Sequence, residues 1–215
     1  MKKQQTGFTL IELAIVLVII GLLLGGVLKG QELINSAKVK NMARDFQNVQ
    51  VYIYGYQDKY RALPGDDLAA VAHLGATANQ AGAGAGNGVI SGNWDSTTVT
   101  DESAIFWQHV RLAGLAPGPT VVGGAGYYPT NADGGRIGIQ SVAGATNIPV
   151  LPTPMSGAYV ICSAGILGKF AKQLDTTLDD SNTETGSLRV YTAAAAWDTN
   201  AAVVDAGVFN VCMAF

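Results

Sequence analysis

The sequence predicts an α+β fold, in which a long N-terminal helix packs on an antiparallel β-sheet with helical and loop insertions. Three observations predict it: an unbroken apolar run near the N-terminus, a one-sided apolar stripe that continues it, and short apolar runs between turn clusters beyond. At 215 residues the chain suits one domain with an appended element. It is 48% hydrophobic and only 13% charged, where an average soluble domain is about 25% charged. That apolar content excludes a disordered chain, and two cysteines in this length exclude a disulfide scaffold.

The apolar run is Phe8 to Leu28, FTLIELAIVLVIIGLLLGGVL, whose one ionisable residue is Glu12. As a helix rising about 1.5 Å per residue it spans about 31 Å, matching a hydrocarbon core of about 30 Å. Lys2 and Lys3 precede it without an acidic residue, so the positive-inside tendency keeps the N-terminus in the cytoplasm and sends the rest outward. A cleaved secretory signal is the nearest competitor. The run, however, exceeds a typical signal core, lacks a small-residue cleavage site after it, and passes directly into a periodic helix.

From residue 29 to 63 the pattern becomes one-sided. Met42, Phe46, Val49, Ile53, Tyr56, Tyr60 and Leu63 recur at steps of four and three, with Lys38, Lys40, Arg44, Asp45, Asp58 and Lys59 elsewhere. This stripe continues the same helix and needs a sheet to cover it; a coiled-coil seam is the other way to bury it. Pro64 and Gly65 supply the stop.

Residues 64–215 form the exported globular part. Helices are expected at Asp66–Leu74, at Asp101–Leu115 and around Ile166, Phe170, Leu174 and Leu178. Strands are expected at Arg136–Gln140, Tyr159–Ser163, Leu188–Thr192 and Val208–Met213. Charge divides with the chain: residues 1–63 carry a net +4, and residues 64–215 a net −7. The larger part therefore repels phosphate backbones, and no nucleic-acid partner is expected.

Glu12 is the anomaly of the apolar run, since a carboxylate in the bilayer costs about 3 kcal/mol on insertion scales. From Lys2 to Glu12 the chain reads KKQQTGFTLIE, a short basic leader, Gly-Phe, then Thr-Leu-Ile-Glu heading the apolar helix. This closely resembles the cleavage and methylation segment of type IV pilins and type II secretion pseudopilins. The resemblance implies a leader of residues 1–7, cleavage between Gly7 and Phe8 by a prepilin peptidase, and methylation of the new Phe8 amine. It implies that residues 8–28 form the transmembrane and assembly helix, with Glu12 pairing with the N-terminal amine of a neighbouring subunit. It also implies a pilin-like roll, partnership with other pilin or pseudopilin subunits, and an inner-membrane assembly platform driven by a separate motor ATPase. The expected localisation is single-pass in the inner membrane with the C-terminal domain periplasmic, then in a pilus or pseudopilus. Common members carry a proline about where Lys29 stands here, so flexibility in this helix falls to Gly21, Gly25, Gly26 and Gly30.

Other motifs are weaker. Ala81–Gly88, AGAGAGNG, lacks the Lys-Ser or Lys-Thr of a phosphate loop and the spacing of a dinucleotide site, so it reads as an exposed loop. Cys162 and Cys212 fall in separate expected strands of the exported part, where a disulfide is expected; two free core cysteines are the alternative. His73 and His109 stand near no nucleophile motif, so the chain is not expected to be an enzyme. No cofactor is expected unless calcium binds at Asp175, Asp179, Asp180, Asn182 and Glu184. These oxygen ligands suit the ion, but their spacing is not that of an EF-hand, and a solvated polar turn is the alternative. Some pseudopilins carry calcium in their C-terminal region. The alternative to a structural subunit, a minor pilin or pseudopilin, is a membrane-anchored or filament-displayed adhesin recognising glycan or secreted substrate, with Trp94, Trp107, Tyr127, Tyr128 and Trp197 as sugar-stacking candidates.

Overall fold

The computed structural model describes residues 9–80, 85–143, 147–148, 154–192 and 202–215. Helix α1 runs Leu10–Tyr60, α2 Ala70–Leu74, α3 Glu102–Leu112 and α4 Gly168–Leu178; strands are β1 Ile137–Ser141, β2 Tyr159–Leu167, β3 Leu188–Tyr191 and β4 Val208–Ala214. The four strands form one antiparallel sheet in the order β1-β2-β4-β3. The fold is α+β, with the long N-terminal helix and sheet of a pilin-like architecture. The chain divides into two compact units within α1, one up to Lys38 and one from Val39 to Phe215.

In the first unit the α1 side chains of Leu10, Ile11, Leu17, Leu22, Leu23 and Leu28 are all exposed. They cover every side of the helix, so no single apolar face faces a core. In the second unit the pattern reverses: Val39, Met42, Phe46, Val49, Ile53 and Tyr56 are buried, while Val51 and Tyr54 on the other faces are exposed. The expected stripe is thus buried from Met42 to Tyr56, with Tyr60 half-buried. It packs with Ile137, Ile139, Ile161, Ile166, Leu188, Val190, Val211 and Met213 of the sheet and with Phe106, Val110, Phe170 and Leu174 of α3 and α4. The expected continuation to Leu63 stops earlier, at Tyr60. Arg61 adopts φ +55° and its N–H donates to the Gln57 carbonyl at 2.9 Å, closing the last turn before Pro64 is reached.

Alternation along the strands sends Val160, Cys162, Tyr191, Cys212 and Ala214 to the opposite face, where Trp94, Ile148 and Met155 cover them. Both faces are therefore apolar, which makes the strands legible as nearly continuous apolar runs. Strand β2 extends past the expected Ser163 to Leu167 through a register shift between Ser163 and Ile166, so Ile166 belongs to the sheet and α4 begins only at Gly168.

Candidate functional site

At its first turn α1 is closed by a reciprocal pair. Thr9 donates its backbone N–H to Glu12 Oε2 at 2.8 Å and its hydroxyl to the same oxygen at 2.7 Å, and the Glu12 N–H donates back to Thr9 Oγ1 at 3.3 Å. This is a capping box, in which the Thr side chain and the carboxylate three residues on satisfy N–H groups that a helix start leaves open. Glu12 is exposed and engages only the turn N-terminal to itself among the described residues. Thr-x-x-Glu is visible in the sequence as a capping signal, yet Glu12 is easily assigned to assembly alone. Gly7 and Phe8 lie outside the described residues.

The helix that follows this cap is, by length and composition, long and apolar enough to cross a membrane. Residues 2–28 match the family model of the Prokaryotic N-terminal methylation motif. The methylation motif is the signature of processed subunits like type IV pilins and pseudopilins, and it joins the basic leader, the Gly-Phe pair, the Thr9–Glu12 cap and the apolar helix in one segment. No curated protein and no solved structure matches the chain.

Beyond the motif, the aromatics that would suit a sugar site are used inside the fold. Trp94, Trp107 and Tyr127 are buried, and Tyr128 lies under the Arg136 guanidinium at 3.5 Å; Trp197 is outside the described residues. The domain's basic side chains are similarly engaged. Arg111 donates to the carbonyls of Pro117, Pro119 and Tyr127 at 3.1, 2.9 and 2.7 Å, and Arg136 to those of Asp95 and Ser96 at 2.9 and 2.6 Å.

The Gly-rich segment does hold an anion, but an internal one. The backbone N–H groups of Gly86, Asn87 and Gly88 all donate to the Asp66 carboxylate, the last at 2.7 Å. Next to it Asp67 accepts from the Tyr56 hydroxyl at 2.7 Å and the Ala69 N–H at 2.8 Å, with His73 Nδ1 at 2.6 Å. Burial alone would raise the Asp67 pKa, but the His73 and Tyr56 hydrogen bonds hold it below the usual carboxylate value. These uses explain why the expected helix at Asp66–Leu74 forms only over Ala70–Leu74. Both aspartates are committed to loop bonds, and Gly65, at φ +93°, brings the backbone against Glu102 where a Cβ would strike its carbonyl oxygen. His109 is buried, with Nδ1 accepting the Gly65 N–H at 3.0 Å and Nε2 2.7 Å from the Asn79 carbonyl, and burial lowers its pKa.

Cys162 and Cys212 are disulfide-bonded across directly paired positions of β2 and β4. Of the expected calcium ligands, the fold brings together Asp175, Asp179 and Asp180, each offering one oxygen within 4.8 Å of the others. Glu184 is not in that carboxylate group. Asn182 builds the following turn, donating its N–H to Asp180 Oδ1 at 2.9 Å and accepting the Glu184 N–H on Oδ1 at 3.2 Å.

Proposed function

We propose that this chain is a non-catalytic structural subunit, a minor pilin or pseudopilin, of a type IV pilus or type II secretion pseudopilus. A prepilin peptidase cuts between Gly7 and Phe8 and methylates the Phe8 amine, and the subunit then polymerises through α1. The observation that carries this is the methylation motif at the head of a helix whose apolar residues are exposed all round up to Leu28. Such a surface requires lipid before assembly and neighbouring helices after it.

The chemistry at the motif supports the same sequence of events. Cleavage creates a cation four residues before Glu12, one helical turn away, and the Thr9 cap presents the Glu12 carboxylate at the N-terminal end of the helix where such a cation stands. In a filament a neighbour's amine offers the carboxylate a partner, and losing one member of a buried pair costs about 3–5 kcal/mol. Lys2 and Lys3 favour a cytoplasmic N-terminus and a periplasmic C-terminal domain. The assembly platform and its motor ATPase would be separate inner-membrane partners. The burial of Trp94, Trp107 and Tyr127 counts against the adhesin alternative.

The test is the mass of the N-terminal peptide of protein isolated from its native host membrane. A peptide beginning at methylated Phe8 supports the proposal. Intact Met1, or cleavage after the apolar run, overturns it.

A further inference from the structure

Asp45, on α1, is half-buried and makes no hydrogen bond or ion pair with any described residue. It lines a cavity of 240 Å³ bounded by α1, α3 and the loop between α3 and β1, whose walls include Val49, Tyr52, Trp107, Pro117 and Ile137. A second hollow of 360 Å³ shares Asp45, Asn48 and Thr130 with this cavity and adds Arg44. The carboxylate thus stands where the two meet, against a wall that is largely apolar and aromatic. Burial alone pushes it up to about 6.

The other ionisable groups around the two hollows are Arg44, Tyr52 and Arg111. Arg111 is already spent: its guanidinium donates to the carbonyls of Pro117, Pro119 and Tyr127, and its charge acts on the Tyr52 hydroxyl. Arg44 is exposed to water. Neither guanidinium pairs with Asp45 or moves its carboxyl. The fold therefore encloses a carboxylate between aromatic walls and leaves it without a cation, an arrangement that costs stability until a partner charge arrives.

We propose that this cavity is a socket for an arginine side chain presented by a partner protein, with Asp45 pairing to the guanidinium and the Tyr52 and Trp107 rings flanking it. Guanidinium suits these walls better than ammonium. It is planar and weakly hydrated, stacks on aromatic faces and meets a carboxylate through two parallel N–H bonds, whereas ammonium is a compact, strongly hydrated charge. The cavity has room for one long side chain but not for a helix about 10 Å across, and the adjoining hollow leaves space for the backbone that carries the arginine. The partner is another protein and not a second copy, because residues 64–215 carry a net −7. Two such domains repel each other, while a basic partner is drawn in. The socket stands whether or not the chain is processed as a pilin.

The test uses the full chain in mild detergent at low ionic strength, with isotope-labelled aspartate and the Asp45 carboxyl resonance assigned through Asp45→Asn. The probe is acetyl-Gly-Arg-Gly-amide, titrated to ~10 mM, which saturates a site with a Kd of about 1 mM. Parallel arms replace the arginine with lysine, or with citrulline, whose urea keeps the shape without the charge. The expected result is a saturable shift of the Asp45 resonance with the arginine peptide, at least about threefold weaker binding of the lysine peptide, and no shift with citrulline. Saturating arginine peptide should lower the titration midpoint of Asp45 by about one unit or more. Its affinity should fall several-fold between about pH 7 and about pH 5, as the free carboxyl takes up its proton. Asp45→Asn keeps the shape of the side chain and should weaken binding at least about tenfold, whereas Arg44→Gln, which removes a like charge from the rim, should bind at least as tightly as the parent chain. No shift with the arginine peptide, an equal shift with citrulline, or undiminished binding by Asp45→Asn would each overturn the proposal. So would self-association of the parent chain that Asp45→Asn abolishes in sedimentation velocity, since the occupant would then be a second copy.

Discussion

The Tyr56 hydroxyl donates to Asp67 Oδ2 at 2.7 Å, joining the last buried turn of α1 to the segment that leaves it. The bond is buried, and the same carboxylate oxygen lies against His73. Tyr56→Phe keeps the ring and removes the donor to a charged acceptor, so a loss of about 1.5–3 kcal/mol is expected. Urea unfolding of the full chain in mild detergent, followed by tryptophan fluorescence, measures it; an unchanged midpoint would mean that the bond contributes nothing.

The same carboxylate sets a pH dependence. The folded-state pKa of Asp67 lies below its usual value, so its contribution is fully present above the unfolded value of about 4 and is lost as pH falls through the folded value. Asp67→Asn should therefore destabilise at pH 7, with the deficit shrinking progressively in acid. Parallel unfolding curves for the two chains at every pH would refute this.

Asp45 has the opposite sign. It lines a cavity of 240 Å³ with Tyr52, Trp107 and Arg111, and burial pushes its carboxyl up to about 6. The folded chain holds this proton between about pH 4 and 6 while the unfolded chain has released it, so stability falls as pH rises through that window. Asp45→Asn should raise the melting temperature at pH 7 and leave it unaltered near pH 3. A gain of equal size at both pH values would point to packing instead of charge.

Asp66 holds three consecutive backbone N–H groups of the Gly86–Gly88 turn. Asp66→Ala removes the carboxylate that accepts from Asn87 and Gly88 while leaving the Gly86 N–H its bond to the residue 66 carbonyl at 2.9 Å, and should free the turn to open locally. Limited proteolysis should then cut around residues 81–88 several-fold faster than in the parent chain. Equal cutting rates would show that the turn is held by something else.

Cys162 and Cys212 close a loop of 50 residues between β2 and β4. Replacing both with Ala should cost about 2–5 kcal/mol, and the denaturation midpoint of the double variant reads this directly. Because both cysteines are buried, reductant should leave the folded parent chain unaltered over the time in which it shifts the midpoint of a chain cycled through urea.

The long helix, the four strands and the burial of the Met42–Tyr56 stripe were legible because each is a periodic signal of hydrophobicity, and the sheet's second covered face strengthened it. The element ends were less so. Ile166 fits the helical spacing of Phe170 and Leu174, but the sheet continues through a bulge and claims it. Asp66 and Asp67 look like the opening of a helix, and only tertiary partners 20 or so residues away, or one element earlier, reveal that their carboxylates are already spent. At the acidic cluster the residue types were readable, while the burial of Asp175 was not, since its position follows from how α4 lies on the core. Arg111 shows the same limit, because a basic residue in a short helix gives no sign that its guanidinium will satisfy three carbonyls.

The strand order has a consequence for how copies of this chain meet. An open sheet invites a foreign strand at its margins, but here both outer strands are short and already hydrogen-bonded to loops: Ser141 donates to the Ile90 carbonyl beside β1, and Val190 to the Thr183 carbonyl beside β3. A foreign strand is thereby denied backbone-to-backbone pairing at these points. Among the described residues, the sheet margins are guarded at these points against edge-to-edge aggregation.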